Sequence, residues 1–164
     1  MEISKKPWPV LSLCGIKKRI DTNPDFQRPP VWSRSQKQLL IDTILRSYDI
    51  PKLYWRKTGS NPDLYDVVDG QQRLRAIFEF YAGEFALAKD CEPVDGMSIA
   101  KAKYADLPDD LRLKFDTYSL DVIILSQIDE EGRPHPPLVK GRQDHSRQRP
   151  DRLLGLQFGK GRQR

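Results

Sequence analysis

The 164-residue chain has only two cysteines, two histidines and two methionines, and no long apolar run. Each scarcity excludes something. Cys14 and Cys91 are far apart and match no metal spacing, so the reading is two buried thiols rather than a disulfide or ligand pair. Neither thiol lies in a phosphate-binding turn, which excludes sulfiredoxin-like redox chemistry. His135 and His145, both near the C-terminus, form no HNH or other metal-nuclease spacing, and no metal site is expected. No stretch approaches a membrane span, and MEISKKPWPV lacks a signal peptide's apolar block, so a cytoplasmic protein without membrane partners is expected. There is no G-x-x-x-x-G-K-[ST] loop.

The charge is uneven. The net charge is +5, yet residues 133–164 hold nine Lys and Arg against two Asp, a net of +7. Residues 1–132 therefore carry −2 (+5 less +7). The basic balance belongs to the C-terminal stretch and says nothing of the remainder. That stretch, from Asp129 on, is rich in Arg, Pro, Gly and Gln, and its apolar residues follow neither strand nor helix period. It buries too little to offset its ordering entropy and is expected to be disordered. The division expected is a domain over 1–128 and a basic tail over 129–164.

Within the domain, residues 10–20 fit a short strand or a helix equally well. NPDFQRPPVWS is too rich in proline for a helix. Ser33 with Gln36 makes a capping-box pattern, and Leu40, Ile41, Ile44 and Leu45 supply a buried stripe, predicting a helix over about 34–47. KLYWRK and LYDVVD read as strands joined in a hairpin through TGSNPD. A helix is predicted from near Gly70 to about Tyr81, stopped by Gly83. GEFALAKD reads as a short strand, Leu107-Pro108-Asp109-Asp110 opens a short helix to about Asp116, and YSLDVIIL is a last strand. Helix, strand, strand, helix, helix, strand is a mixed α+β order.

Two polar islands carry chemistry. Asp69-Gly70-Gln71-Gln72-Arg73 falls where a strand becomes a helix, so unpaired first-turn amides and the helix dipole favour an anion there. Gly70 permits close approach of a ligand, Gln71 and Gln72 offer donors and acceptors, and Arg73 offers a guanidinium fork. Asp69 is placed to cap the helix or hold a metal-bound water. The bland alternative is that Asp69-x-x-Gln72 is only a capping pattern. The second island, Phe26-Gln27-Arg28-Pro29-Pro30-Val31-Trp32, sets Gln27 and Arg28 in a stiff, proline-rich loop, where Arg28 either points into a site or lies solvated.

Together DFQRPPVWS, QLLIDTILRSYDIPKLYW and LYDVVDGQQRLRAIFEFY resemble the N-terminal domain of GmrSD-type restriction proteins, over roughly residues 16–125. The resemblance implies a ParB- and sulfiredoxin-like mixed sheet with packed helices. It implies a nucleoside triphosphate with Mg2+ as cofactor, bound by Gln27, Arg28, Asp69, Gly70, Gln71, Gln72 and Arg73. Asp69, Gln72 and Arg73 are the expected catalytic residues if the triphosphate is hydrolysed. It implies a role in restricting phage DNA that carries modified bases or backbones, with DNA met through the full-length system. Relatives carry an HNH-type nuclease domain or subunit, which this chain lacks, so nuclease activity is not expected of it alone. Two alternatives stand beside this reading. One is a non-catalytic DNA-binding module using Lys17, Lys18, Arg19, the tail and stacking by Trp32 or Trp55. The other is an inactive remnant, truncated or frameshifted after Glu131.

Overall fold

A computed structural model describes residues 1–23 and 31–127. It is α+β: a five-stranded mixed sheet carries four α-helices. The strands are β1 (Glu2–Pro9), β2 (Ile20–Asp21), β3 (Leu53–Gly59), β4 (Leu64–Asp69) and β5 (Ser119–Ser126). The helices are α1 (Val10–Gly15), α2 (Arg34–Leu45), α3 (Gln71–Tyr81) and α4 (Asp109–Thr117). The sheet order is β1-β5-β3-β4-β2. The β1–β5 and β3–β4 pairs are antiparallel, and β3–β5 and β2–β4 are parallel.

Period-two alternation sets the two faces of the sheet. Leu53 and Trp55, Tyr65 and Val67, and Leu120, Val122 and Ile124 are buried, whereas Tyr54 and Arg56 between them face water. The helices add Leu40, Ile41, Ile44 and Leu45 from α2, Leu74, Ile77 and Phe80 from α3, and Leu111 and Phe115 from α4 to the same core. Each such side chain contributes about 1.5–3 kcal/mol when fully buried.

The β3–β4 hairpin and the start of α2 match the sequence reading. Ser33 accepts a hydrogen bond from the Gln36 amide, and the Gln36 side chain accepts one from the Ser33 amide, closing the capping box. Gly83, at φ +76°, follows the end of α3, and its amide bonds to the Phe80 carbonyl. Residues 10–20 resolve into α1, a 3-10 turn over Lys17–Arg19 and the two residues of β2.

Three elements differ from expectation. The N-terminal nine residues, in which no strand pattern is visible, form the edge strand β1. Its Pro7 and Pro9 are tolerated because an edge strand needs hydrogen bonds on one side only. GEFALAKD is no strand. It is an irregular segment in which Phe85 and Leu87 are buried and the Leu87 amide bonds to the Ala102 carbonyl. Alternation there reflects a loop laid on the core, not a ladder. Cys14 and Cys91 are free, as expected, but half-buried rather than buried.

The expected tail, from Asp129 on, and the Gln27–Arg28 island lie outside the described residues. No helix among the described residues is long and apolar enough to cross a membrane.

Candidate functional site

The site is built on the junction of β4 and α3. The strand ends at Asp69, and Gly70 turns the chain at φ +98°, ψ +16°, a left-handed conformation open chiefly to glycine. A Cβ at this position would stand 2.2 Å from Leu53 Cδ2, so glycine is needed for space as well as for φ. Gly70 itself is the N-cap residue of α3, and no side chain caps the helix. The Asp69-x-x-Gln72 capping pattern is therefore not formed, because the left-handed turn at Gly70 intervenes. The first intrahelical bond runs from the Leu74 amide to the Gly70 carbonyl, 3.0 Å, so the amides ahead of Leu74 have no acceptor within the helix.

The five motif side chains take different places. Gln71 is buried, and its Nε2 donates to the Val67 and Val68 carbonyls at 3.0 and 3.2 Å, tying the helix start back to β4. Gln72 is also buried, 8% exposed. Its Oε1 accepts the Trp32 amide at 3.1 Å. Only an oxygen can accept that amide, so the other end of the carboxamide is the donor, Nε2. Among the described residues this buried Nε2 has no hydrogen-bond partner. Such a donor is costly to leave unmet, by about 1–3 kcal/mol.

Arg73 folds back. Its Nη2 donates to Asp69 Oδ2 at 2.8 Å, and its Nη1 donates to the Pro51 carbonyl and, at 3.4 Å, to that of Lys52. The Arg73 side chain is 13% exposed, whereas that of Asp69 is 61% exposed.

The second island meets the first at Trp32. Gln27 and Arg28 are not among the described residues, but Trp32, just downstream, is bonded through its amide to Gln72. Upstream, the Thr22 carbonyl accepts from Arg75 Nη2 at 2.9 Å. Both flanks of the proline-rich segment thus stand on the first turns of α3. Sequence reasoning missed Trp32 N–H, Arg75 and the Pro51 and Lys52 carbonyls. The only available signal was the four-residue spacing of Asp69 and Arg73, which suits an ion pair.

Other candidate residues sort differently. Trp55 is fully buried, 6.0 Å from the Trp8 ring and 5.3 Å from the Tyr65 ring, so it cannot stack on a base. Trp32 is half-buried and packs against the core. Lys17, Lys18 and Arg19 are exposed on their turn. Burial pushes the Cys14 thiol up to about 11, and the nearby Asp116 carboxylate adds to the shift, which makes it a poor nucleophile. A polar cavity of about 400 Å³ between α2 and α3 is lined by Arg34, Lys37, Glu79, Glu84 and Phe85, none of which belongs to the bend. Among the described residues, no three His, Cys, Asp or Glu side chains gather as a metal cluster. A magnesium ion carried by a polyphosphate needs fewer protein ligands, commonly one or two carboxylates, and the exposed Asp69 carboxylate fits that requirement.

Comparison with protein families matches residues 11–151 to the family described as GmrSD restriction endonuclease, N-terminal domain. Comparisons with curated proteins and with solved structures give no match.

Proposed function

This chain belongs to the GmrSD restriction endonuclease N-terminal domain family, and from that premise we propose that its Asp69–Arg73 bend binds a nucleoside triphosphate. The protein would serve in a bacterial, modification-dependent restriction system against phage. The observation that carries the reading is Gln72: a buried carboxamide donor, with no partner among the described residues, in the first turn of α3. Phosphate oxygens are acceptors, and one of them would supply what this donor requires.

In this reading the amides of Gly70, Gln71 and Gln72 and the Gln72 Nε2 receive phosphate oxygens. Gly70 keeps the bend free of side-chain bulk. Asp69 is the residue that would hold Mg2+, which supplies charge neutralisation on the phosphates when bound. Gln27 and Arg28 are proposed to complete the nucleotide-binding set. The Trp32–Gln72 bond supports this, because it ties the chain just downstream of them to the bend. Hydrolysis is the further step, with Asp69 and Gln72 beside the phosphates and Arg73 acting through its ion pair with Asp69. Orientation of the attacking water falls to Asp69 or Gln72, and no residue is assigned as general base. A ParB- and sulfiredoxin-like ancestry, a cytoplasmic location and DNA engagement through a separate HNH-type nuclease domain or subunit belong to the same proposal.

The test is direct titration of the protein with nucleoside triphosphates, with and without magnesium, for the natural chain and for Gln72→Met. The variant keeps the side-chain length but loses both the Nε2 donor and the Oε1 that accepts the Trp32 amide, so its melting temperature is measured alongside. Affinity should fall about tenfold or more, the worth of one hydrogen bond to a charged group. Equal affinity in both proteins refutes the site.

A further inference from the structure

Within that nucleotide reading, on which this inference rests, we propose that Arg73 is a positioning residue and not a phosphate ligand. Its guanidinium latches the Asp69–Gly70 bend to the chain that enters β3.

Three fixed acceptors hold the fork: the Asp69 carboxylate at 2.8 Å, the Pro51 carbonyl, and the Lys52 carbonyl at 3.4 Å. Pro51 and Lys52 precede β3, whose pairing with β5 begins at Leu53, so their carbonyls stand ahead of the ladder. The guanidinium also packs against the bend, with Nη2 3.5 Å from where a Cβ on Gly70 would stand. Leu53, next in the chain after Lys52, is the residue whose methyl group approaches Gly70 most closely. Side-chain packing and the Arg73 bonds therefore join the same two backbone segments, one on each side of the bend.

Exposure agrees with this assignment. Arg73 is the enclosed member of its ion pair, and Asp69 is the open one. An arriving phosphate meets the Asp69 carboxylate, the first-turn amides and the Gln72 donor. To claim Arg73 it would have to displace a carboxylate and two carbonyls that are already in place. Arg73 thus acts through the bend: it fixes the direction in which the Gly70–Gln72 amides point.

The experiment measures the affinity of the full chain for a nucleoside triphosphate and the matching monophosphate, both with magnesium, together with the melting temperature. The proteins are the natural chain, Arg73→Ala and Arg73→Lys. A positioning role predicts that Arg73→Ala weakens both nucleotides by the same factor, about tenfold. It predicts the same for Arg73→Lys, because a single ammonium cannot reach three acceptors in the fork's geometry. The melting temperature should fall in both variants. A triphosphate affinity that drops tenfold more than the monophosphate affinity, with an unchanged melting temperature, overturns the inference. So does Arg73→Lys retaining the natural preference for triphosphate when Arg73→Ala loses it. If Arg73→Ala does not fold, Arg73→Lys carries the comparison alone. Failure of the natural chain to bind either nucleotide overturns the nucleotide reading itself, and is seen before any substitution is made.

Discussion

Replacing Gly70 with alanine tests the geometry on which the site depends. Two costs arise. The residue sits at φ +98°, where an L side chain is disfavoured by about 1–2 kcal/mol. The new Cβ would also stand 2.2 Å from Leu53 Cδ2, and Leu53 is fully buried, so it has no open space to turn into. Overpacking of that kind costs about 1–3 kcal/mol. Stiffening of the unfolded chain by alanine returns about 0.4–1 kcal/mol. The net loss is about 1–5 kcal/mol, which for a domain of this size lowers the melting temperature by roughly 4–20 °C.

Gly83→Ala is the internal control. Its φ is +76°, but nothing lies within 4 Å of the position its Cβ would take. It therefore carries the conformational cost without the clash. Thermal and urea denaturation followed by far-UV circular dichroism would compare the two variants. Gly70→Ala should be the less stable of the pair, and in a double-mutant cycle its cost should be smaller in a Leu53→Ala background than in the natural chain, although Leu53→Ala is itself destabilising. If the two glycine variants melt together, the close approach of Leu53 to the bend is refuted, and with it the account of why a glycine stands there.

Three further outcomes are expected. Ser33→Ala removes half of the capping box at α2 and should cost about 1 kcal/mol, measurable as a shift in the urea midpoint; no shift would mean that the cap contributes nothing. Burial and the hydrogen bond it donates to Asp116 push the Tyr104 phenol up to about 12, from an ordinary value of 10.0. The folded state thus keeps this proton longer than the unfolded state. Its contribution to stability is complete below pH 10 and is lost as the pH rises from 10 to about 12. Tyr104→Phe should flatten the decline of stability over that window, and an unchanged slope would refute the shift. The Cys14 thiol, raised to about 11, should resist alkylation by iodoacetamide at pH 8 until the chain is unfolded; mass spectrometry of the modified peptide in native conditions checks this.

Local chemistry explains which parts of the fold could be read from residues alone. The capping box of α2, the alternation of Leu53 and Trp55 with their neighbours, and the Val68–Gln71 junction are short-range patterns, and each is found at its place. The failures share a cause. GEFALAKD alternates like a strand, yet it lies in a loop outside the five strands, so its apolar side chains are buried without a ladder. The N-terminal nine residues carry two prolines and no apolar period, yet they find the exposed edge of β5. Strand pairing depends on which edge is vacant, and that is a property of the assembled sheet.

The bend at Gly70 was legible because its causes lie within a few residues: a strand pattern, a glycine, and a helical pattern. Who meets whom across that bend was not. The Pro51 carbonyl, the Trp32 amide and Gln72 are 40 residues apart at the widest, and they are joined because apolar burial brings β3, α2 and α3 together. Burial is non-directional, so an apolar pattern says that these elements will pack without saying which backbone polar atoms end up within reach of which side chain. The residues with chemistry were therefore written in the primary structure. Their division into an inward-facing Arg73 and a Gln72 donor with no partner among the described residues was decided by the packing.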